Sequence, residues 1–427
     1  MPHPDPGAGA PTAQRRPVLD GIRVVELASY IAAPTAGRIL AAYGAEVIKV
    51  ERPGAGDEVR RWHTNREETS LLWRSVARNK KSMTLDWHDP EGRGVLLDLV
   101  RHADVLLDGF RPGALERAGL DPKVLAEVNP ELVLVRVSGF GQSGPYRDQA
   151  GFGSVAEAIG GLRYLTGYPD RPPTRVGISL GDSVAGIHAA LGAVLALLAR
   201  ERGTGRGRTP TGVPGLPEVQ VVDVALYEAV YSLLDSVVAE YQAFGVVRQR
   251  TGTSIAGIAP SNTYPCADGR FVVIGANADA VFARLTAVMG RPELATDPRY
   301  ADAVGRARCA EELDGYVGRW TQSLAADRVL ALLAEHGVPA TPIYDATDLA
   351  GDPHFAARGT HERYSVAVGP GCVQEVGFPA PVARLSHAPT VHRWAGPELG
   401  EHTEDVLCGL LGYDEDRVGQ LRATGVV

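Results

Sequence analysis

Two apolar runs separated by a helical segment decide the fold of this chain. Residues 22–27 read IRVVEL, residues 34–43 read PTAGRILAAY and residues 45–50 read AEVIKV. The outer runs are short, apolar and rich in β-branched residues, and the middle run has apolar residues at helical spacing. A strand, a helix and a second strand in this order predict a βαβ unit with two parallel strands.

The same alternation continues along the first half of the chain. The sequence predicts a helix at 90–102, strands at 104–107 and 132–137, a long apolar helix at about 183–200, and further strand and helix within 219–244. Alternating strands and helices are typical of a parallel sheet that is covered on both faces. We therefore predict an α/β fold.

The pattern changes near residue 252. Residues 262–265 and 271–274 flank the turn sequence ADGR, which indicates a β-hairpin. Helical segments follow at about 278–289, 309–323 and 326–336. We predict four segments: a disordered leader at 1–17, a large α/β domain at 18–245, a smaller α+β domain at 246–345, and a C-terminal segment at 346–427 that returns to the large domain.

The composition excludes several classes of protein. The chain has 427 residues, with 43 Lys and Arg against 51 Asp and Glu, and a formal net charge of −8 without a basic tract predicts a poor nucleic-acid binder. The four cysteines are far apart, which indicates neither a disulfide framework nor a zinc site. The apolar run at 186–199 is too short to span a bilayer. We expect a cytoplasmic protein without a metal, a nucleic-acid partner or a membrane segment.

Gly139, Gly141 and Gly144 form a GxGxxG sequence directly after a predicted strand. In dinucleotide-binding folds, such glycines open a helix whose N-terminus holds pyrophosphate. Here a polar loop follows instead. The loop after the first strand, where that fingerprint belongs, reads ASYIAAP at 28–34 and lacks glycine. A dinucleotide site is therefore disfavoured.

Asp182 is the most informative single residue. It ends a stretch rich in Gly and Pro and begins the long apolar helix, where Asp is among the best N-cap residues. The same position keeps a carboxylate ionised beside helix amides, and an ionised, oriented carboxylate can act as a nucleophile. The two interpretations are compatible, and the residues alone leave both open.

Several motifs, taken together, resemble one family. They are GIRVVEL at 21–27, AEVIKVER at 45–52, NKKS at 79–82, GFRPGA at 109–114, Gly181-Asp182 with its helix, and LGEHT at 399–403. In this order they resemble the class III CoA-transferases, which include formyl-CoA, carnitine and succinyl-CoA-dependent carboxylate transferases. The resemblance runs from about residue 19 to 427. It implies a Rossmann-like large domain, a smaller domain, and two chains threaded through one another as an interlocked homodimer.

The resemblance also implies a reaction, because Asp182 matches the family's catalytic aspartate. Its carboxylate attacks the donor thioester, which gives an aspartyl–acyl anhydride and CoA thiolate. The thiolate returns to give an aspartyl-CoA thioester and releases the donor acid, and the acceptor acid then takes up CoA. Coenzyme A enters as the acyl-CoA substrate, and no metal is needed. Small dicarboxylates such as succinate are the expected acids, because the small-domain segment resembles members that use succinyl-CoA.

The resemblance assigns a set of residues to CoA binding. They are Tyr30, Ala32, Arg52, Leu85, Phe110, Arg111 and Arg117. An arginine offers a planar fork to phosphate oxygens, so the three arginines are expected at the phosphates and the nucleotide end. The others are expected to make apolar or backbone contacts to the adenine and pantetheine.

The chain departs from the family pattern at several places. Two lysines of some relatives are His88 and Ala150 here, and residues 209–218 look like an insertion in a surface loop. A racemase branch of the family uses a His–Asp pair to exchange an α-proton, and that His falls where this chain has Phe152, which cannot act as a base. Transfer is therefore favoured over a racemase-like activity. A non-catalytic CoA-binding protein, in which Asp182 only caps a helix, is the other alternative.

Overall fold

The chain forms two compact units in a computed structural model that describes residues 15–62, 70–203, 219–369 and 371–427. The larger unit contains Met1–Gly160, Gly177–Leu233 and Gly359–Val427, and the smaller unit contains Gly161–Val176 and Leu234–Arg358. The sequence-based boundaries at 245 and 345 both fall inside the smaller unit. The predicted insertion at 209–218 and most of the predicted leader lie outside the described residues.

The larger unit is built on a six-stranded parallel sheet. Its strands are β1 (Arg23–Leu27), β2 (Glu46–Glu51), β3 (Lys80–Thr84), β4 (Val105–Asp108), β5 (Val133–Ser138) and β6 (Gln220–Ala225). They pair in the order β3-β2-β1-β4-β5-β6, which is the strand order of doubly wound dinucleotide-binding folds. The predicted parallel sheet is confirmed. Strand β3 is an addition, because its polar sequence KKSMT does not have the apolar pattern of a buried strand.

The α-helices are numbered along the chain. They are α1 (Ala32–Ala42), α2 (Leu71–Val76), α3 (Pro90–Arg101), α4 (Ala114–Arg117), α5 (Pro122–Val128), α6 (Gly153–Ile159), α7 (Leu162–Leu165), α8 (Leu180–Glu201), α9 (Leu226–Tyr231), α10 (Val237–Phe244), α11 (Asp279–Val288), α12 (Ala303–Arg308), α13 (Ala310–Gln322), α14 (Ala326–Glu335), α15 (Ala346–Gly351), α16 (Pro353–Ala357) and α17 (Glu415–Ala423). Short 3₁₀ helices lie at Glu58–Arg61 and Pro292–Ala295, and one turn of π-helix lies at Asp405–Leu410.

Alternate residues of the strands cover the two faces of the sheet. On β1, Val25 and Leu27 belong to a core that includes α3 and α17, whereas Val24 belongs to a core that includes α1 and α8. This alternation follows from the two-residue period of a strand. It also places Glu26, which follows the same period as Val24, on the α1 face.

Helix α8 is the central helix of the α1 face. By length and composition it could cross a membrane, but it packs on α1, β5 and β6 with a face of small residues. That face includes Ala185, Ala189 and Ala193, which are buried, and Gly186, where an added Cβ would lie 2.5 Å from the Ala32 carbonyl oxygen. Small side chains allow the two helices to approach closely, and α8 is therefore a core helix.

Small antiparallel sheets complete the two units. In the smaller unit, β7 (Ser261–Pro265), β8 (Phe271–Gly275) and β9 (Ala340–Pro342) pair in that order, and β7 with β8 forms the predicted hairpin. This sheet shares a core with α11, α13 and α14. In the larger unit, β10 (His361–Gly369) and β11 (Cys372–Pro379) form a second hairpin.

The closing LGEHT motif lies along the outer edge of β3. The His402 backbone N–H donates to the Ser82 carbonyl at 2.9 Å, and the Thr84 N–H donates to the Thr403 hydroxyl at 3.0 Å. The Gly400 N–H donates to the Ser82 hydroxyl at 2.9 Å. The motif thus covers an edge strand that would otherwise expose its backbone groups.

The close approach of α1 and α8 can be tested with two glycine substitutions. Gly186→Ala is expected to lower stability by about 1–3 kcal/mol, because its Cβ would collide with the backbone of α1. Gly94→Ala, on the exposed side of α3 with open space around it, is expected to raise stability by about 0.5–1 kcal/mol. Thermal unfolding of both variants measures the difference, and an unchanged or higher Tm for Gly186→Ala would contradict the packing described.

Candidate active site

A cavity of about 560 Å³ lies at the carboxyl ends of the central strands of the larger unit. Its lining comes from the segments that follow β1, β2, β3 and β4, and consists of Ala28, Ser29, Lys49, Val50, Glu51, Arg52, Ala55, Gly56, Asp57, Glu58, Arg61, Leu85, Asp86, Trp87, His88 and Phe110. Ligands of open parallel sheets bind at this edge. The volume is in the range of small-molecule sites.

The cavity brings together some of the residues assigned to CoA and not others. Arg52, Leu85 and Phe110 line it. Tyr30 and Ala32 lie in the adjoining loop and at the start of α1, outside the lining. Arg111 and Arg117 are exposed and are also outside the lining.

Aromatic groups form one wall of the cavity. The Trp87 ring stacks on His88 with centroids 4.0 Å apart and lies 5.4 Å from the Phe110 ring. His88, which the sequence analysis compares with a lysine of some relatives, also lines the cavity. With Arg52 and Arg61, the lining combines flat apolar surfaces with guanidinium groups, which suits a ligand that carries both a ring and phosphates. Within the described residues, no group of three His, Cys, Asp or Glu side chains could hold a metal ion.

The loop that carries Phe110 is fixed by a buried carboxylate at the end of β4. Asp108 accepts from the Phe110 N–H at 2.9 Å and from the Arg136 guanidinium at 3.0 Å. Burial raises the pKa of Asp108 to about 6, although Arg136 favours its ionised form. Gly109 is needed here because an added Cβ would lie 2.7 Å from the Ala28 side chain. The GFRPGA motif therefore packs the loop after β4 against the loop after β1.

Four buried charged side chains lie under the loop between β1 and α1. Lys49 contacts Glu26 at 3.0 Å and Asp57 at 2.8 Å, and Lys80 contacts the other oxygen of Glu26 at 2.7 Å. None of these four residues is more than 3% exposed. Nearby carboxylates, chiefly Asp57 and Glu26, outweigh the effect of burial and raise the pKa of Lys49, whereas burial lowers the pKa of Lys80 to about 8. We call these four residues the ionic cluster.

The loop above the ionic cluster contains a strained residue. Tyr30 has φ of +70°, a left-handed conformation that is uncommon for a bulky residue. Its ring lies 5.3 Å from the Trp62 ring and 5.3 Å, edge to face, from the Phe152 ring. Phe152 directly precedes Gly153, the first residue of α6. The aromatic contacts thus connect the loop after β1 with the start of α6.

Asp182 lies next to that start of α6. An ideal Cβ on Gly153 would lie 2.0 Å from Oδ2 of Asp182, so only glycine leaves room for the carboxylate there. The expectation that Asp182 is an N-cap is wrong: α8 begins at Leu180 with Ser179 at the cap position, and Asp182 is in the first turn, half-buried. The helix begins about one turn earlier than its apolar pattern indicates, because its first residues include Gly and a charged residue.

The GxGxxG segment has a structural explanation. An added Cβ on Gly139 would lie 2.6 Å from the Cα of Gly151, so two backbones touch at this point. Gly141 has φ of +84°, and the Gln142 N–H donates to the carboxylate of Asp223 at 2.9 Å. The glycines thus serve a turn and a close approach of backbones, and a carboxylate occupies the position near these amides.

Sequence reasoning did not single out the ionic cluster or Trp87. The clue to the cluster is a charge inside an otherwise apolar strand, at Glu26 in IRVVEL and at Lys49 in AEVIKV. A buried polar group must find a partner, so two such residues in adjacent strands indicate a pair. The contacts of Asp57 and Lys80 depend on tertiary structure that no local pattern encodes.

Comparison with known proteins identifies similar chains over nearly the full length. Residues 19–403 match the family model described as CoA-transferase family III. The chain is 48% identical to a succinyl-CoA–D-citramalate CoA-transferase of Chloroflexus aurantiacus, across 97% of this chain and 100% of that protein. It is 40% identical to the beta subunit of a succinyl-CoA–L-malate CoA-transferase of the same organism, across 96% and 98%. A crystal structure of a CaiB/BaiF family protein from Brucella suis matches with a TM-score of 0.78 at 32% identity, across 93% and 100%.

The lining of the cavity includes Arg52 but not Arg117, although the sequence assigns both arginines to CoA. Arg52→Gln is expected to weaken CoA binding about tenfold, because it removes a charged hydrogen-bond donor from the lining. Arg117→Gln is the matched control, since Arg117 lies outside the lining, and it is expected to change the Kd less than twofold. Isothermal titration with CoA measures both. A larger effect from Arg117 than from Arg52 would place the nucleotide elsewhere.

Proposed function

Because the chain belongs to CoA-transferase family III, we propose that it transfers CoA from succinyl-CoA to a small carboxylic acid through the carboxylate of Asp182. The family membership confirms the resemblance found in the sequence motifs, and with it the predicted enzyme class, an acyl-CoA:carboxylate CoA-transferase. The α/β fold with a six-stranded parallel sheet agrees with the match to the CaiB/BaiF structure. The choice of substrates, the nucleophile and the CoA contacts are the proposal.

The substrate proposal rests on the two relatives from Chloroflexus aurantiacus. Both are named as succinyl-CoA-dependent, and their acceptors are the hydroxy dicarboxylic acids D-citramalate and L-malate. The succinyl group of the donor and both acceptors carry a carboxylate in addition to the one that takes part in transfer. We therefore assign succinyl-CoA as donor and a short dicarboxylic acid as acceptor.

The assignment of Asp182 as the nucleophile rests on one observation, the position of its carboxylate. Its carboxylate is in the first turn of a 22-residue helix and faces a glycine at the start of α6. The positive end of the helix dipole stabilises the ionised form. The neighbouring Phe152 ring contacts Tyr30, whose loop borders the cavity. Asp182 is not among the residues that line the cavity, and the proposal requires a thioester held there to extend past Tyr30 and Phe152 to reach this carboxylate.

The chemistry that this arrangement supports is a covalent relay. The Asp182 carboxylate attacks the thioester carbonyl, the C–S bond breaks, and a mixed anhydride and CoA thiolate form. The thiolate attacks the aspartyl carbonyl, which releases succinate and leaves an aspartyl-CoA thioester. The acceptor carboxylate displaces CoA to form a second anhydride, and the thiolate then attacks the acceptor carbonyl, which regenerates Asp182. Each step exchanges one leaving group for another, so no net oxidant or proton donor is required.

The proposed CoA site uses the residues of the cavity. Arg52 would contact phosphate oxygens, and Leu85 and Phe110 would pack against apolar parts of CoA. Tyr30 and Ala32 would act from the loop beside the cavity, and Arg111 from its exposed position after β4. The four cysteines are unpaired, which is compatible with a cytoplasmic enzyme.

The proposed oligomer is an interlocked homodimer. Helix α8 exposes a stripe of large apolar residues on the side opposite α1, namely Ile187, Leu191, Val194, Leu195 and Leu198, and Leu191 and Leu195 are each more than half exposed. Apolar surface in one contiguous stripe marks a protein interface more often than a solvated surface. A second copy of the chain, as the family resemblance implies, would cover it.

Substitution of the proposed nucleophile tests the function directly. With labelled succinyl-CoA and hydroxylamine as trap, the modified peptide of the native chain is expected to contain Asp182. Asp182→Asn is expected to abolish the adduct and to lower transfer to D-citramalate or L-malate by at least about 10³-fold, because an amide cannot form the anhydride. Asp327→Asn is the matched control, since Asp327 is also in the first turn of a helix but is exposed.

Gly153→Ala supplies a second variant for the same test. Its methyl group would displace the carboxylate of Asp182, so we expect a loss of about 10²-fold in transfer with little change in Tm. Gly177→Ala, which meets open space, is its control. An adduct at another residue would contradict the assignment of the nucleophile. Exchange of an α-proton without an adduct would indicate the racemase-like alternative, and neither signal would indicate a CoA-binding protein.

The interlocked dimer predicts a particular exchange behaviour. The purified chain is expected to sediment at twice the chain mass, and tagged and untagged dimers mixed after purification are expected not to form mixed dimers, because threaded chains separate only by unfolding. Co-expression of the two chains is expected to give mixed dimers. Rapid exchange would indicate a dimer without threading, and a monomer at micromolar concentration would contradict the proposal.

A further inference from the structure

The ionic cluster places four charged side chains in an apolar interior, which is unusual. Its members Glu26, Lys49, Asp57 and Lys80 are all nearly inaccessible to water. Removing charges from water is unfavourable, and hydrophobic residues of similar size often fill such positions at no loss of stability. Stability alone therefore does not explain the cluster.

The cluster is bonded to the backbone after β1 at three places. Lys49 donates to the carbonyl oxygen of Ala28 at 2.6 Å, Asp57 accepts from the N–H of Tyr30 at 3.2 Å, and Lys80 donates to the carbonyl oxygen of Pro34 at 2.7 Å. Ala28 begins the loop that joins β1 to α1, Tyr30 is in the middle of that loop, and Pro34 is in the first turn of α1. Three of the four side chains therefore hold the loop and the first turn of α1, and Glu26 pairs with two of those three, Lys49 and Lys80.

The loop that the ionic cluster holds contains Tyr30, the residue with the strained backbone. A left-handed conformation is unfavourable for a non-glycine residue and persists only when surrounding contacts enforce it. Asp57 supplies such a contact at Tyr30, and Asp57 is itself held by Lys49 and by the Val59 N–H at 2.9 Å. The strain and the buried charges are thus parts of one arrangement.

The loop after β1 borders both the cavity and the surroundings of Asp182. Ala28 and Ser29 line the cavity, and the Tyr30 ring contacts Phe152 next to the glycine that faces Asp182. A shift of the loop would change the wall against which CoA packs and the position of the Tyr30 ring together.

We propose that the ionic cluster is a positioning device for acyl-CoA, in which Asp57 holds Tyr30 in its left-handed conformation and thereby shapes the loop that borders the cavity. Lys49 and Asp57 also line the cavity, but the role assigned here to the four residues is positioning, because Lys49, Asp57 and Lys80 bond to backbone and Glu26 pairs with both lysines. The inference rests on the proposed function for the identity of the ligand, CoA. It does not depend on Asp182 being the nucleophile.

A double-substitution cycle tests the device. Asp57→Asn keeps the size of the side chain and removes its charge, so we expect the Kd for CoA and the KM for succinyl-CoA to rise about tenfold, the scale of one charged hydrogen bond. Tyr30→Gly allows the left-handed conformation without strain. In the Tyr30→Gly background, Asp57→Asn is therefore expected to raise the Kd less than threefold.

A remote ion pair provides the matched control. Asp104 precedes β4 at the opposite end of the sheet, where it pairs with Arg200 at 2.7 Å and accepts from the Arg23 N–H at 2.9 Å. Asp104→Asn is expected to lower Tm without a change in the Kd for CoA. An Asp57 effect that is equally large in both Tyr30 backgrounds, or an equal effect of Asp104→Asn on the Kd, would overturn the proposal and indicate a merely stabilising cluster.

The failure of the inference is distinguishable from the failure of the proposed function. If the native chain binds CoA and forms the Asp182 adduct while Asp57→Asn leaves the Kd unchanged, the inference fails and the function stands. If the native chain does not bind CoA, the proposed function fails. Should Asp57→Asn not fold, the variant with Lys49→Met and Asp57→Asn keeps the Glu26–Lys80 pair and is expected to show the same loss of affinity; an unchanged affinity in that variant would also overturn the inference.

Discussion

The ion pair between Glu26 and Lys49 is the constraint on which the site depends. The two residues are direct register partners on β1 and β2, and both side chains are buried on the face that α1 covers. Removing one partner of a buried pair costs about 3–5 kcal/mol, because the other charge is left without compensation. Each of the two charges has a further partner, Lys80 for Glu26 and Asp57 for Lys49. The geometry of the connection from β1 through α1 to β2 is therefore set by electrostatics as well as by hydrophobic packing. Helix α1 packs closely on Glu26, since a Cβ added at Gly37 would lie 2.0 Å from Oε2 of Glu26.

This solution differs from the one that dinucleotide-binding folds use with the same strand order. There, glycines after the first strand let the backbone approach a pyrophosphate at a helix N-terminus. Here the corresponding loop has no glycine, and buried lysines and an aspartate bond to its backbone instead. The backbone groups of the loop that contact these side chains are directed into the protein. The arginines and aromatic rings of the lining are then left to meet the ligand, which is consistent with a CoA site in which side chains make the main contacts.

The fold was predictable from the sequence because hydrophobic periodicity determines which residues form strands and helices. The first βαβ unit, the hairpin of the smaller unit and the long apolar helix all follow from such patterns. Strand β3 did not, because Lys80 and Ser82 are buried through pairing with Glu26 and Glu51, and a local pattern cannot distinguish a paired lysine from a solvated one. The same limit applies to the site. The family resemblance assigns both Arg52 and Arg117 to CoA, but only Arg52 lines the cavity. Only the tertiary structure determines which surface arginines face a common space.

The position of Asp182 within its helix bears on what its carboxylate can do. An N-cap aspartate uses an oxygen to accept from amides of its own helix, which ties the side chain to a structural role. With Ser179 at the cap position, Asp182 is in the first turn, and its carboxylate faces α6 where Gly153 leaves room for it. It also lies near the positive end of the helix dipole, which favours an ionised carboxylate. The close contact between Gly153 and this carboxylate, which leaves no room for a side chain at position 153, is the observation on which the proposed role of Asp182 rests.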